Sequence, residues 1–197
     1  MTSAEPLGLR ERKKARTRAA IQRHAIRLFR EQGYSATTVE QIAAAADISP
    51  STFFRYFPTK EDTVLYDSID PLLIEAGRRQ PKELSLLGAV RAALREVHET
   101  LPPETWAEER RRQALVFSVP ELRVKSIDGQ VASVSLLAGW AAERTGRSAS
   151  DFEVRTWAGA VVGVILSTAQ LAATDLDADY AGLLDQAFAL LEDGLLH

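Results

Sequence analysis

The sequence predicts an all-α protein of about nine helices, with a three-helix N-terminal domain that contains a helix-turn-helix. Three observations support this class. The 197 residues are 46% hydrophobic, enough to bury a full core. Their apolar positions recur with the helical period, and no run alternates apolar and polar residues over the length of a strand. Prolines and glycines interrupt the chain at helix-length intervals.

The first predicted helix covers residues 10–32. Ile21, Ala25, Leu28 and Phe29 follow one another at i, i+4, i+7 and i+8, so they form one apolar stripe. Gly33 comes directly after this stripe, and a glycine at this position commonly ends a helix.

Two short helices follow. Thr37 precedes the second helix, and Glu40 lies three residues later in the spacing of a capping box. Asp47 and Ile48 form a tight connection. Ser49 is a good N-cap for the third helix, since Pro50 follows at the first helical position. The third helix runs to about Tyr56.

A fourth helix is predicted over 61–81, where Asp70-Pro71 bends or restarts it. We expect four domains or segments. These are a flexible N-terminus at 1–9, the helix-turn-helix domain at 10–60, the linking helix at 61–81 and a C-terminal domain at 82–197. Further helices are predicted at about 83–100, 104–118, 121–145, 151–173 and 179–196.

Charge is distributed unevenly. Residues 1–60 carry 11 Lys and Arg against 5 Asp and Glu, whereas residues 61–197 carry 13 against 22. A basic segment on an acidic body indicates contact with a polyanion, although a solvated helix face has the same appearance.

The composition argues against an enzyme. The chain has no cysteine and three histidines, none of which has a metal-ligand partner at helical spacing. We therefore expect no metal and no cofactor. No nucleophile elbow, glycine-rich phosphate loop or general acid-base pair is found. The longest apolar run, 157–166, has ten residues, whereas a membrane span needs ~20. No apolar signal core follows the N-terminus, so we expect a cytoplasmic protein without membrane contact.

The second and third helices suit a helix-turn-helix. A recognition helix docks through an apolar side and presents a polar or small side to the major groove. Phe53 and Phe57 are spaced i, i+4, and we expect them to face the core with Ile42 and Ile48. The opposite side of the third helix then remains for DNA.

Residues 37–61, TTVEQIAAAADISPSTFFRYFPTKE, resemble the N-terminal domain of the TetR family of bacterial transcriptional regulators. The family pattern is matched at Thr38, Ile42, Ala43, Ala46, Ile48, Ser49, Thr52, Phe57, Lys60 and Glu61. The resemblance implies a homodimeric, ligand-responsive regulator, most simply a repressor, that binds a near-palindromic double-stranded DNA operator. The family's two recognition helices enter successive major grooves ~34–36 Å apart.

The resemblance also implies which residues contact DNA. They are Arg16, Thr37, Thr38, Pro50, Ser51, Thr52, Phe54, Arg55, Tyr56 and Lys60. Phe54 stands where the family usually has tyrosine, and it lacks the hydroxyl that would bond a phosphate. Phe54 is therefore expected to contact a thymine methyl group or to help pack the domain. Arg55 is expected to read a guanine or to face a phosphate or solvent. The basic residues between Arg10 and Arg18 are expected to supply nonspecific affinity.

The family's C-terminal domain dimerises and binds an inducing ligand. Helix 151–173 is apolar nearly all round, so it is expected to be buried on more than one face. The predicted interface residues are Gly159, Val162, Gly163, Leu166, Leu184 and Phe188. The alternative is that both terminal helices are simply interior helices.

A small, lipophilic or aromatic effector is expected in this domain. The candidate ligand-binding residues are Trp106, Arg110, Gln113, Phe117, Trp140 and Trp157, with Arg110 placed to pair with an anionic head group. The alternative is that the tryptophans belong to the core. FFRYFPTKED followed by Asp70-Pro71 is similar to a TetR subgroup with acyl-coenzyme A-like ligands. The rival function is an all-α small-molecule-binding protein or enzyme that does not bind DNA.

Overall fold

The structure, a computed structural model, describes residues 8–175 and 178–194. These residues form ten helices and no strand, which confirms the all-α class. The contacts divide the chain into two compact units, one ending at Tyr66 and one beginning at Asp67. Each unit is described by itself below.

The first unit contains four helices: α1 Leu9–Gln32, α2 Val39–Ala45, α3 Pro50–Tyr56 and α4 Asp62–Leu65. Its core joins the stripe of α1 to the inner sides of α2, α3 and α4. The buried apolar residues include Ile21, Ala25, Phe29, Ile42, Phe53, Phe57 and Val64. Gly33 follows α1 with φ of 88°, a left-handed value that favours glycine, so its place after the helix is confirmed.

The second unit contains α5 Asp70–Arg79, α6 Leu86–Thr100, α7 Pro103–Ser118, α8 Pro120–Thr145, α9 Phe152–Ala172 and α10 Tyr180–Glu192. A large core cluster includes Trp140 of α8, Val161 of α9 and Phe188 of α10. A second cluster surrounds Trp106 of α7 and Val97 of α6. The last helix was predicted to reach 196, and residues 195–197 lie outside the described part of the chain.

The predicted linking helix over 61–81 is not continuous. It is split into α4 and α5, which accounts for the additional helix, and the boundary between the units falls inside it. A continuous helix cannot pass through Pro71, because proline has no N–H to donate and its ring clashes with the carbonyl one turn earlier in a helix. A new helix therefore begins at this point. The Asp67 carboxylate accepts hydrogen bonds from the backbone N–H groups of Ile69 and Asp70 at 2.7 and 3.3 Å, which fixes the new start.

Helix α9 combines length with an apolar composition. By these two properties alone it is able to cross a membrane, yet 28% of its most apolar window is buried within this chain. Gly163 and Leu171 lie among its exposed positions. Helix α9 therefore keeps apolar surface outside its own fold, and the expectation that a second face of this helix is buried stays a prediction.

Candidate nucleic-acid interface and effector cavity

The turn between α2 and α3 has the geometry of a Schellman motif. Asp47 adopts the left-handed conformation with φ of 54°. The Ile48 N–H donates to the Ala43 carbonyl, and the Asp47 N–H donates to the Ala44 carbonyl, at 3.0 and 3.2 Å. A tight turn of this kind fixes the direction in which the next helix leaves, so it sets the position of α3.

Ser49 caps α3 as predicted. Its hydroxyl accepts from the Thr52 N–H at 3.1 Å and also bonds to the hydroxyls of Ser51 and Thr52. Pro50 occupies the first helical position. The start of this helix is therefore defined by the sequence itself.

The two sides of α3 differ as the sequence predicted. Phe53 and Phe57 are buried with Ile42, and Ile48 is partly buried. Pro50, Ser51, Phe54 and Arg55 are exposed, while Thr52 and Tyr56 are partly exposed. The Arg55 guanidinium lies 5.6 Å from the Tyr56 ring centroid. Phe54 is 52% exposed, so it is not part of the core.

The second helix is capped by Thr38, not by Thr37 with Glu40. The Thr38 hydroxyl accepts from the Gln41 N–H at 3.3 Å, and the Gln41 side chain accepts from the Thr38 N–H at 2.9 Å. Thr37 is only 1% exposed, and its hydroxyl donates to the Gly33 carbonyl at 2.8 Å. The predicted DNA contact of Thr37 is therefore wrong, since its hydroxyl is used inside the fold.

Two cations expected at DNA are turned inward. The Lys60 ammonium donates to the Tyr34 and Thr37 carbonyls at 2.9 and 3.0 Å and lies 4.4 Å from the Tyr34 ring centroid. Arg18 donates to the Tyr56 carbonyl at 3.2 Å, with its guanidinium 4.7 Å from the ring of Tyr66. The structure thus gives Lys60 and Arg18 structural contacts in place of the expected phosphate contacts.

The remaining basic residues at the start of α1 are exposed. They are Arg10, Arg12, Lys13, Lys14 and Arg16. Arg16 lies closest in sequence to the buried part of α1, which begins at Ile21. These side chains form a cationic surface of the kind that binds phosphates without reading sequence.

The second unit contains a cavity of ≈ 250 Å³. Its apolar wall comprises Ile69, Leu73, Leu94, Trp106, Ile165, Ala181, Leu184 and Phe188. Its polar wall comprises Asp67, Asp70, Arg91, Arg95, His98, Glu109, Gln113, Tyr180 and Asp185. Among residues 8–175 and 178–194, no group of three or more His, Cys, Asp or Glu residues is placed to hold a metal ion.

Only part of the predicted ligand-binding set lines this cavity. Trp106 and Gln113 do, whereas Arg110 and Phe117 do not. Helix α7 turns Glu109 toward the cavity, one position before Arg110, so that Trp106, Glu109 and Gln113 share its inner face. Periodicity alone did not indicate this, because a buried glutamate is not expected on an inward face.

Trp140 and Trp157 belong to the core, as the alternative interpretation held. Their rings are stacked with centroids 6.1 Å apart. The Trp140 indole lies against Gly77 of α5, where a Cβ atom would come within 2.9 Å of its Nε1 atom. Neither tryptophan lines the cavity. Their predicted ligand contacts are therefore corrected to packing contacts.

An ion network lies beside the cavity, and two of its members, Asp67 and Glu109, line the cavity wall. The Arg112 guanidinium is bound by Glu109 at 2.5 and 2.7 Å and by Asp67 at 2.7 Å. Burial works against its charge, but the two carboxylates raise the pKa of Arg112 overall, so it stays a cation. Burial and the nearby Asp67 raise the pKa of Asp70, whose carboxylate accepts from Ser133 at 2.6 Å. Burial likewise raises the pKa of the Tyr180 phenol, which remains protonated.

The cations of the cavity wall are not equivalent. Arg91 is bound to Asp185 at 2.8 Å and to Glu192 at 2.6 Å. Arg95 is exposed and has no ion-pair partner among the described residues. The His98 ring lies 5.2 Å from that of Trp106. Within the described part of the chain, Arg95 is therefore the arginine of the cavity wall that is available to an anionic group.

The predicted dimer residues divide into two groups. Gly159, Val162, Gly163 and Leu166 of α9 keep exposed or partly exposed surface. Leu184 and Phe188 are 5% and 1% exposed within their own chain and line the cavity, so they are not available to a partner. Helix α10 instead presents Leu183 and Leu190 outward, at i and i+7.

Comparisons with known families match both units. The model of bacterial regulatory proteins of the tetR family matches residues 21–65. The model of the MftR C-terminal domain matches residues 84–196, more than half of the chain.

Among individual proteins, the HTH-type transcriptional regulator TcmR of Streptomyces glaucescens is 45% identical over 92 residues, which span 46% of this chain and 41% of that protein. MftR of Mycobacterium tuberculosis, named as a mycofactocin biosynthesis transcriptional regulator, is 29% identical over 93% of both chains. The crystal structure of Thermus thermophilus FadR, a TetR-family repressor in complex with lauroyl-CoA, is 26% identical with a TM-score of 0.58. That similarity covers 91% of this chain and 95% of FadR.

Proposed function

Because the chain belongs to the TetR family of bacterial regulatory proteins, it is a regulator of transcription, and we propose that it is a ligand-responsive repressor. It acts in the cytoplasm as a homodimer that binds a near-palindromic operator and leaves it when an effector occupies the cavity. One observation carries the proposal: α3 is fixed by a Schellman turn and a Ser49 cap, while the side opposite Phe53 and Phe57 is exposed.

We assign the DNA contacts to two sets of residues. Pro50, Ser51, Phe54 and Arg55 are exposed on α3 and approach the bases, with Phe54 facing a thymine methyl. We assign the phosphate contacts to Arg16 on the exposed part of α1, to Thr38 at the N-cap of α2 and to Thr52 and Tyr56 at the two ends of α3. In this assignment Thr37 and Lys60 support the fold only.

The first test is a mobility-shift titration against the DNA upstream of the coding region, with and without excess competitor DNA. We expect a competitor-resistant shift. Arg16→Ala should weaken binding and flatten its salt dependence by about one phosphate contact. The matched control is Arg147→Ala, which removes the same charge from an exposed ion pair in the second unit. No binding to any duplex at low salt would refute the proposal.

The dimer is assigned to the outer faces of α9 and α10. The small residues Gly159 and Gly163 permit close helix approach, and Leu183 and Leu190 add apolar area. Leu190→Glu should shift the protein to a monomer in sedimentation velocity. The control is Val124→Glu on α8, where an equally apolar and exposed residue lies outside the assigned interface. An unchanged dimer in the Leu190 variant, or monomers in both, would contradict the assignment.

We assign the effector to the class of acyl thioesters of coenzyme A. The cavity offers an aliphatic and aromatic wall for an acyl chain. Arg95, which has no ion-pair partner among the residues that the structure describes, supplies a cation for a phosphate. The complex of the similar FadR protein with lauroyl-CoA supports this choice. Lipophilic or aromatic compounds without coenzyme A are the second candidate, favoured by Trp106 and Phe188 in the wall.

The effector test compares lauroyl-CoA, free coenzyme A and laurate at equal concentrations in the operator titration. Lauroyl-CoA alone should release the operator. Arg95→Ala should raise the concentration needed, whereas Arg155→Ala, an equal charge change at an exposed position outside the cavity, should not. Release by laurate at the same concentration would show that the coenzyme A part is not required, and no release by lauroyl-CoA would refute the effector class.

A further inference from the structure

The end of α3 is held by a side chain of α1. The last four carbonyls of an α-helix have no partner within the helix, and α3 has only seven residues. The Arg18 guanidinium donates to the carbonyl of Tyr56, the last residue of α3, at 3.2 Å. A cation at this end of a helix also complements the helix dipole. Arg18 therefore fixes the end of α3, as Ser49 fixes its start.

Two aromatic rings hold the Arg18 guanidinium in place. Its Cζ atom lies 5.5 Å from the ring centroid of Phe57 and 4.7 Å from that of Tyr66. The two rings meet edge to face, with their centroids 6.0 Å apart. Phe57 is the C-cap of α3 and is buried. The guanidinium is thus fixed by ring contacts at the same place where it binds the α3 carbonyl.

Gln22 makes the corresponding contact with the next helix. Its Nε2 atom donates at 2.9 Å to the carbonyl of Tyr66, the C-cap of α4. Arg18 and Gln22 are spaced i, i+4, so they share one face of α1. This face binds the ends of two helices through separate side chains. Only the Arg18 contact reaches the recognition helix.

The Arg18 site is not arranged for stability alone. The Nε atom of Arg18 is buried and has no hydrogen-bond partner among the residues that the structure describes. A buried N–H group without an acceptor destabilises the folded state. An apolar side chain would avoid this cost, but it would not bind the Tyr56 carbonyl. A role in the direction of α3 explains why a guanidinium occupies the position.

We propose that Arg18 is a positioning residue for sequence-specific DNA binding, which fixes the orientation of α3 and does not itself contact DNA. The inference rests on the proposed function, in which the exposed side of α3 approaches the bases. Helix α3 has about two turns, so a change at its end shifts every side chain that it presents to the groove. Arg16, two positions earlier on α1, is exposed and has the separate role of a phosphate contact.

The first test compares Arg18→Met with Arg16→Met in operator titrations at several salt concentrations. In Arg18→Met, operator affinity should fall by about fivefold or more, the lower range for one lost base contact, whereas affinity for nonspecific duplex should change by less than about twofold. The slope of log affinity against log salt should stay unchanged in Arg18→Met and decrease by about 0.9 in Arg16→Met. An equal loss for both duplexes with a smaller slope in Arg18→Met would overturn the proposal, because Arg18 would then contact a phosphate.

Gln22→Leu is the matched control for stability. It removes a side-chain hydrogen bond to a backbone carbonyl from the same face of α1, but at α4. Both Gln22→Leu and Arg18→Met should lower the unfolding temperature. Only Arg18→Met should lower the ratio of specific to nonspecific affinity. An equal fall of this ratio in both variants would overturn the proposal, since general loosening of the unit would explain it.

Hydrogen exchange tests the positioning without DNA. The Phe57 N–H donates to the Phe53 carbonyl at 3.0 Å at the end of α3, and the Ile42 N–H donates to the Thr38 carbonyl at 3.2 Å in α2. In Arg18→Met, exchange should accelerate more at Phe57 than at Ile42, because the end of α3 loosens locally. Equal acceleration at both amides would overturn the proposal.

If Arg18→Met does not fold, Arg18→Lys takes its place in every measurement. Lysine keeps the positive charge but has no planar guanidinium to lie against two rings. Positioning predicts weaker operator binding with an unchanged salt slope, whereas wild-type affinity would overturn the proposal. If the wild-type protein binds no duplex, the proposed function is refuted, and exchange at Phe57 still decides whether Arg18 fixes α3.

Discussion

Replacement of Lys60 by methionine separates a structural role from a DNA-binding role. The substitution keeps the side-chain stem and removes two charge-assisted hydrogen bonds, at 2.9 and 3.0 Å, and the contact with the Tyr34 ring. Each such hydrogen bond contributes ~1.5–3 kcal/mol and the ring contact ~0.5–1 kcal/mol. Because Lys60 is partly exposed, hydrogen bonds to water offset part of the energy of these contacts. We expect the free energy of unfolding of the first unit to fall by about 2–4 kcal/mol.

The measurement is native-state hydrogen exchange at the Ile42 amide, which donates to the Thr38 carbonyl inside the first unit. The three tryptophans, Trp106, Trp140 and Trp157, all lie in the second unit, so their fluorescence is an internal control that should not change. Lys14→Met, at an exposed position on α1, should weaken DNA binding without altering exchange. Unchanged exchange in Lys60→Met, together with weaker DNA binding, would refute this reasoning and restore the phosphate contact.

Three further outcomes are expected. Gly77→Ala should destabilise the second unit by ~1–3 kcal/mol in urea unfolding, because the added methyl group would lie 2.9 Å from Trp140; an unchanged midpoint would show that α5 and α8 separate easily. Ser49→Ala should lower the free energy of unfolding by ~1 kcal/mol, because α3 loses its N-cap, and should also weaken operator binding. If only one of the two effects is seen, the N-cap does not position α3 for DNA recognition. Burial and Asp67 raise the pKa of Asp70, so the charged carboxylate destabilises the folded state once the pH is high enough to ionise it. Asp70→Asn should therefore raise the unfolding midpoint, monitored by tryptophan fluorescence, at pH 7 and change it little at pH 3. Equal effects at both pH values would contradict that origin.

Local sequence rules predicted most of the first unit correctly. The stripe of α1, the Gly33 stop, the Ser49 cap and the inward pair Phe53 and Phe57 all appear in the structure where the residues predicted them. Each depends on neighbours within about one or two helical turns. The errors at Thr37 and Lys60 have a different source. Both depend on contacts with the 33–37 loop, which spacing along a helix does not describe.

In the second unit the sequence determined that helices are present and that α9 and α10 are apolar, but not which face of each is inward. Leu183 and Leu184 are adjacent and equally apolar, and only packing against the other helices buries Leu184 and leaves Leu183 outside. On α7 the inward residue is Glu109, whose buried charge is balanced by Arg112. Arg112 also pairs with Asp67, which lies 45 positions away in the sequence. A one-residue shift rotates a helix face by about 100°. The sequence by itself therefore determined the class, the family and the recognition helix. Tertiary packing decided which residues line the cavity and which residues of α9 and α10 face outward, because burial of a charge depends on partners brought from distant parts of the chain.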